Sequence, residues 1–404
     1  MVVPQVTYDD VLAARELLKG VIAHTPVVHS RVLSETIGGP VYLKAENLQR
    51  AGSFKVRGAY VRIARLTEEE RARGVVAASA GNHAQGVAFG SGLLGAKSTV
   101  YMPEGAPLPK VEATRGYGAE VIFAGHTVDH ALQAARRHAD ETGAVFIHPF
   151  DHPDVIAGQA TIGLEIIEQL PETGTIVVAI GGGGLAAGVA LAAKHLRPGV
   201  RVVGVQAERA AAYPESLAAG HPVMVEPQFT MADGIAVGRP GDLPFEMIHY
   251  LVDQVVTVSE ESLSRALLLC LERGKMVVEP AGAAGVAALL DKPHAFEPPV
   301  VAVLSGGNID PLLLARVLRH GLAAAGRYLA FRIRLADRPG ALAALLRRLA
   351  ELKANVLDVV HERVGARLHL DEAEVLLQLE TRGPDHCDDV LAALRRDGYK
   401  LIFS

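Results

Sequence analysis

Cysteine is scarce in this chain of 404 residues: Cys270 and Cys387 lie far apart and match no metal-ligand spacing. Their scarcity points to a reducing, intracellular compartment. Positive charge is short too, with 40 lysines and arginines against 45 acidic residues and a net charge of −5. That balance leaves no basic surface for nucleic acid. Apolar runs of about 18 residues are missing, so no membrane span is expected. The start Met1-Val2-Val3-Pro4-Gln5-Val6-Thr7 has no basic segment leading into an apolar one, which speaks against a secretory leader. A cytoplasmic protein is expected. Neither a fixed-period repeat nor a low-complexity tract occurs. The chain that remains is 50% hydrophobic and 21% charged, a composition suited to a compact fold, and its length suggests two or three domains.

From about residue 75 to 305, short β-rich runs alternate with helical periodicity, the pattern of βαβ units around a mainly parallel, buried sheet. Strands are expected at 75–78, 98–101, 120–123, 176–180, 202–205 and 300–304, with helices at 83–94, 128–141, 186–195 and 260–273. Ligands of open α/β sheets bind beyond the carboxyl ends of strands, so the turns after these strands are the places to search. Past Gly326 the pattern becomes strand 328–335, turn Asp337-Arg338-Pro339-Gly340, helix 341–352, strands 355–361 and 373–380, helix 385–396 and strand 399–403. This βαββαβ order makes a complete ferredoxin-like domain and sets a boundary near 326.

Four segments carry possible chemistry. Ser53-Phe54-Lys55-Val56-Arg57-Gly58-Ala59 puts a lysine at a glycine-bearing helix start; Lys55 is either a solvated helix-face residue or an amine whose lowered pKa lets it condense with a carbonyl. Gly181-Gly182-Gly183-Gly184-Leu185 follows an apolar strand and opens a helix, where backbone amides and the helix's positive end hold phosphate. The spacing of Gly182, Gly184 and Ala187, with Glu208 further on, also meets the dinucleotide fingerprint of a nicotinamide or flavin enzyme, and a close strand-to-helix turn is the bland alternative. Ser79-Ala80-Gly81-Asn82-His83 is a second anion-binding turn, or a helix capped by Ser79 or Asn82; His83 reads as a packing or capping residue. Ser305-Gly306-Gly307-Asn308 closes the last strand of the region, as a third such turn or a plain capped loop.

Taken together, Gly52 to Ala59, Ser79 to His83, Gly181 to Leu185, Glu279-Pro280-Ala281-Gly282-Ala283 and Ser305 to Asn308 resemble the threonine dehydratases (threonine ammonia-lyases) of the fold-type II pyridoxal phosphate enzymes. The tail, with Arg338-Pro339-Gly340 and Leu342, resembles an ACT domain. The resemblance implies an α/β, tryptophan synthase β-like, two-lobed catalytic region of open, mainly parallel sheets at 1–326. Within it a smaller lobe at roughly 50–152 is inserted in the larger, and an ACT-like regulatory domain follows at 327–404. It also implies conversion of L-threonine to 2-oxobutanoate and ammonia, and of L-serine to pyruvate as a secondary activity, in isoleucine biosynthesis or threonine catabolism.

By the same resemblance Lys55 carries pyridoxal 5'-phosphate as a Schiff base and takes the Cα proton, and Phe54 packs on the cofactor ring. Gly181, Gly182, Gly183, Gly184 and Leu185 cradle the phosphate, Asn82 bonds the ring hydroxyl, and Ser305 bonds the pyridine nitrogen. Serine supplies no full positive charge there, which suits elimination. Ser79, Ala80, Gly81, Asn82 and His83 hold the substrate carboxylate. Serine racemases of this fold have a serine acid-base group where this chain has Ala80, so racemization is expected to be negligible. Relatives with a divalent cation use an acid at the position of Glu208 and an aspartate where this chain has Pro214, so no metal is expected; Glu208 is left to a monovalent ion or to its loop. The tail implies an amino-acid effector bound between paired domains, hence a homodimer or homotetramer. Other readings are a nicotinamide-type oxidoreductase, a serine racemase or dehydratase relative, and an amino-acid sensor over an inactive body.

Overall fold

The apolar runs read as strands assemble into two sheets in the first of two compact units, Met1–Leu313, and the tail forms a third sheet in the second, Leu314–Ser404. The computed structural model describes residues 5–363 and 368–403, so residues 1–4 of the N-terminal stretch read above lie outside it. Among the described residues, the first unit contains β1 (Val27–His29), β2 (Val41–Lys44), β3 (Val75–Ala78), β4 (Ser98–Met102), β5 (Glu120–Phe123), β6 (Val145–Phe146), β7 (Thr175–Ala179), β8 (Arg201–Ala207), β9 (Gln254–Val258) and β10 (Val300–Val303). Among them no helix is long and apolar enough to cross a membrane.

The larger sheet runs β1-β2-β10-β7-β8-β9 and is parallel except where β1 pairs antiparallel with β2. The smaller sheet, β5-β4-β3-β6, is wholly parallel and is built from chain lying between β2 and β7. Strands covered on both faces need continuous apolar runs. Every residue of β3, β7 and β10 is accordingly buried. Because β2, β10 and β7 are parallel neighbours, the turns that follow them open on one sheet edge.

Helix Lys55–Ala64 crosses the long helix Pro153–Gln169 at a pair of glycines. A Cβ on Gly58 would come within 2.6 Å of the Val155 carbonyl oxygen, and one on Gly158 within 2.6 Å of the Gly58 Cα. No larger residue fits at that crossing. Helix Pro153–Gln169 is buried from Val155 through Ile167, and the polar residues Thr161 and Glu165 within that stretch face Arg57 rather than solvent, unlike the polar face of a surface helix.

In the second unit β11 (Tyr328–Ala336), β12 (Asn355–Glu362), β13 (Glu372–Glu380) and β14 (Leu401–Ile402) form an antiparallel sheet in the order β12-β13-β11-β14. Its helices are Ala341–Glu351 and Pro384–Arg396. Alternate residues of β13 are buried, and Phe331, Ile333, Val375, Leu377, Leu345 and Leu394 share one core. This is the βαββαβ arrangement expected from the tail. The division between units falls at Leu313/Leu314, inside helix Pro311–Ala324, rather than near 326. The end of that helix is tied into the second unit: the Gly326 carbonyl accepts bonds from Thr381 Oγ1 at 2.7 Å and from the Gly383 amide at 3.0 Å.

Candidate active site

Lys55 opens its helix, and the residues before it are paired with the turn after β10. The Phe54 amide donates to the Ser305 carbonyl at 3.1 Å, the Gly307 amide to the Gly52 carbonyl at 2.9 Å, and Ser53 bridges Gly306. Backbone bonds thus place Lys55 and Ser305 at one edge, 250 residues apart in sequence. The Lys55 amine donates to the Pro149 carbonyl at 2.9 Å and lies 5.2 Å from the Phe54 ring centroid. Burial lowers its pKa from 10.5 to about 8, and the partial counterweight is Glu279. At that value about a tenth of the amine is unprotonated at pH 7, against well under a thousandth at the ordinary value, so the free amine that a nucleophile or base needs is far more available.

The helix-face alternative for this segment is not realised. Arg57, one short step along the helix from Lys55, is fully buried. Its guanidinium meets Glu46 through Nε and Nη2, each at 2.8 Å, and Glu165 through Nη1 at 2.6 Å and Nη2 at 3.0 Å; Nη1 also reaches Thr161 Oγ1 at 3.0 Å. Lys44 completes the group on Glu165 Oε2 at 2.5 Å and the Thr25 carbonyl at 2.7 Å. Burial opposes every charge here, yet Glu46 and Glu165 hold the Arg57 pKa above its ordinary value, and Arg57 holds the Glu165 carboxyl below its own. Two cations and two carboxylates therefore pin the Lys55 helix from behind.

The glycine turn has a definite shape. Gly183 adopts φ +106°, and a Cβ on Gly182 would stand 2.4 Å from the Phe150 ring. Phe150 follows Pro149, whose carbonyl holds the Lys55 amine, so turn and lysine are joined through two adjacent residues. The Gly182 carbonyl accepts from the Gly241 amide and from Tyr213 Oη. Helix Gly184–Leu196 starts here with no side-chain cap, and the first amides of such a helix lack intrahelical partners. A bare-backbone cradle with free amides fits a phosphate.

In the Ser79 to His83 turn, neither Ser79 nor Asn82 caps the helix Asn82–Leu93; Gly81 occupies the cap position. Ser79 Oγ accepts from the Gly81 amide at 3.1 Å instead. The Asn82 amide is turned away from the helix end, donating through Nδ2 to Glu279 Oε1 at 2.5 Å and accepting at Oδ1 from Asn308 Nδ2 at 2.9 Å. His83 is buried and donates from Nε2 to the Ile147 carbonyl at 2.8 Å; burial, then Lys55, push its pKa down to about 3, so it is neutral and structural in side chain. Ala80 and Gly81 are half-buried, and Gly81 lies beside Lys110, whose amine pairs with Asp233 at 2.8 Å.

The residues read from sequence thus gather at one edge, and the structure adds others. Glu279 stood in a quoted motif without a role; it is 3% exposed, and burial, then Asp233, raise its pKa from 4.5 to about 7. Pro149, Phe150, Lys110 and Asp233 carried no sequence signal because each matters by position rather than by type. Glu208 is exposed at the end of β8, Pro214 lies in helix Ala212–Ala219, and among the described residues no three metal-ligating side chains gather into a possible site.

A lysine of lowered pKa, a phosphate cradle and polar side chains at one sheet edge define a carbonyl-cofactor enzyme. The family pattern described as pyridoxal-phosphate dependent enzyme matches residues 18–306, and the chain belongs to that family. The L-threonine ammonia-lyase of Thermotoga maritima is 49% identical over 396 residues, covering 98% of this chain and 99% of that protein. Among solved structures, the threonine deaminase of T.th. is 42% identical with TM-score 0.72 over 75% of this chain and 99% of its own. Maize serine racemase is 35% identical with TM-score 0.74 over 79% and 98%. The cofactor is pyridoxal phosphate, and the dinucleotide reading of Gly182, Gly184, Ala187 and Glu208 falls away.

Proposed function

We propose that this chain is a threonine ammonia-lyase, converting L-threonine to 2-oxobutanoate and ammonia and L-serine to pyruvate. The observation that carries the reading is Lys55: a crowded amine of lowered pKa, bonded to Pro149 and fixed by backbone pairing beside Ser305. When bound, pyridoxal phosphate withdraws electrons from the amino acid's Cα and so acidifies its proton. Lys55 would hold the cofactor, and its amine would take the Cα proton. Amides of Gly181 to Gly184 and Leu185 hold the phosphate, Phe54 flanks the ring, Asn82 donates to the ring oxygen and Ser305 bonds the ring nitrogen. Ser305 is neutral, so it orients the ring without fixing a charge on that nitrogen. The amides of Ser79 to His83 bind the substrate carboxylate, with the His83 ring committed to Ile147 and unable to act as a base.

Ala80 has no proton to exchange, and we assign the enzyme elimination rather than inversion. Assay of both keto acids from L-threonine and L-serine tests the activity; no product from either amino acid would overturn it. Substantial formation of D-serine would overturn the role given to Ala80.

The C-terminal unit is assigned as an ACT-like amino-acid effector module in a homo-oligomer, and the protein to the cytoplasm. Its βαββαβ order and the left-handed Gly340 at the Pro339-Gly340 turn, φ +87°, support the module. A protein ending at residue 326 is expected to keep its turnover and lose any response to isoleucine or valine. A retained response would refute the effector role.

A further inference from the structure

Asn82 could present either its amide nitrogen or its oxygen to a ligand, and the side chains behind it decide which. The order runs from a fixed end. The Ala51 carbonyl can only accept, so the group 2.8 Å from it must be the Asn308 nitrogen. That nitrogen faces Asn82 Oδ1 at 2.9 Å and Gln85 Oε1 at 3.2 Å, which makes Asn82 Oδ1 an acceptor. The Asn82 nitrogen then meets Glu279 at 2.5 Å, where a carboxyl oxygen accepts, ionised or not. The Ala51 acceptor sets the order of the amides, and the Glu279 contact agrees with it.

Strain supports the first link. Ala51 sits at φ +58°, ψ +17°, a left-handed conformation that costs a residue with a Cβ roughly 1 kcal/mol or more. This conformation delivers its carbonyl to Asn308. The far link is anchored as well, since the Glu279 amide donates to the Gly306 carbonyl at 3.0 Å, inside the turn that pairs with Ser53.

We propose that Asn308 and Glu279 are positioning residues that lock the Asn82 amide with its second N–H free for the ligand. Asn82 therefore offers a donor and selects the ring oxygen of the cofactor in its deprotonated, accepting form. The inference rests on the cofactor contact assigned to Asn82 above. Glu279 is faced by Asp233, Lys110 and Lys55 as well as Asn82, and its raised pKa agrees with a carboxyl that is short of positive partners.

The test uses the full chain loaded with pyridoxal phosphate and reads cofactor affinity and the pH midpoint of its visible absorption band. Asn82→Ala is expected to weaken affinity about tenfold and shift the midpoint, the effect of losing one hydrogen bond to a charged oxygen. Asn308→Ala and Glu279→Leu are expected to reproduce most of that shift, and Glu279→Gln, which keeps an acceptor, to restore the wild-type midpoint. Combined with Asn82→Ala, neither change should add to it, because both act through Asn82. Wild-type midpoints in Asn308→Ala and Glu279→Leu, or effects that add fully to Asn82→Ala, would overturn the relay while leaving the Asn82 contact standing. An unaltered midpoint and affinity in Asn82→Ala itself would remove that contact and the relay with it. If Glu279→Leu does not fold, the half-buried Asn308→Ala decides alone.

Discussion

Helix Lys55–Ala64 separates two regions that treat buried charge in opposite ways. Behind it, Arg57, Lys44, Glu46 and Glu165 pair at hydrogen-bond distance. In front of it, Lys55 has a carbonyl for its nearest partner, Glu279 has an amide, and His83 and His148 are held neutral, their pKa values pushed by burial down to about 3 and about 4. The same residue types serve both regions, and the difference lies in pairing. Satisfied charges fix a structure, whereas under-paired ones keep a pKa within reach of neutrality and can exchange protons.

The comparison breaks most sharply at Lys55. Replacing it with alanine removes the amine of lowered pKa, and keto acid formation should fall at least about 10³-fold while the fold survives. Wild-type turnover in Lys55→Ala would place the chemistry elsewhere. Arg57→Ala attacks the region behind and should act on stability: it leaves Glu46 and Glu165 buried with too little positive charge, at a cost of about 3–5 kcal/mol. Urea unfolding of the cofactor-free protein measures this, and a loss below about 1 kcal/mol would show that water enters to solvate the carboxylates. Gly182→Ala lies between the two classes. Its Cβ meets the Phe150 ring, so a loss of about 1–3 kcal/mol is expected together with weaker cofactor binding, because Phe150 adjoins the carbonyl that holds Lys55.

How much of this was legible in the sequence also follows the pairing. The second unit read almost residue by residue, since β13 alternates buried and exposed positions and its turns carry Pro339-Gly340 and Gly383. The strands β3, β7, β8 and β10 read well because a buried parallel strand is a short apolar run between turn signals. Helix Pro153–Gln169 was missed, because its polar residues Thr161 and Glu165 are spent on Arg57 inside the protein rather than on solvent, and β1, β2, β6 and β9 were too short or too plain to stand out. In the site, the types that need special backbone or chemistry, Lys55, Gly181 to Gly184, Asn82 and Ser305, were all marked. The solvated-face alternative for Lys55 stayed open because the acids that bury its neighbour Arg57 sit 11 and 108 residues from it. Glu279 was visible as a letter in a motif, but its neighbours come from three distant segments.

The smallest effects are those of pH, and they test whether the front region is under-paired as described. Glu279 keeps its proton to about pH 7 when folded and to about 4.5 when unfolded. Between those values the native state binds more protons, so its contribution to stability falls as pH rises. Lys55 is the reverse: from about pH 8 to 10.5 the unfolded chain binds more protons, and the contribution rises with pH. His83 and His148 also favour the folded state as pH rises toward 6.5, masking the Glu279 limb in a single curve. Differences between cofactor-free variants remove the mask. Wild type minus Glu279→Gln should fall from about pH 4.5 to 7 and then level, and wild type minus Lys55→Met should stay level to about pH 8 and then climb. Neither slope should exceed about 1.4 kcal/mol per pH unit, and the second should be shallower because Lys55 keeps some contact with solvent. Two flat difference curves would mean that water or rearrangement gives both groups their ordinary values, and that the front region is no less well satisfied than the one behind.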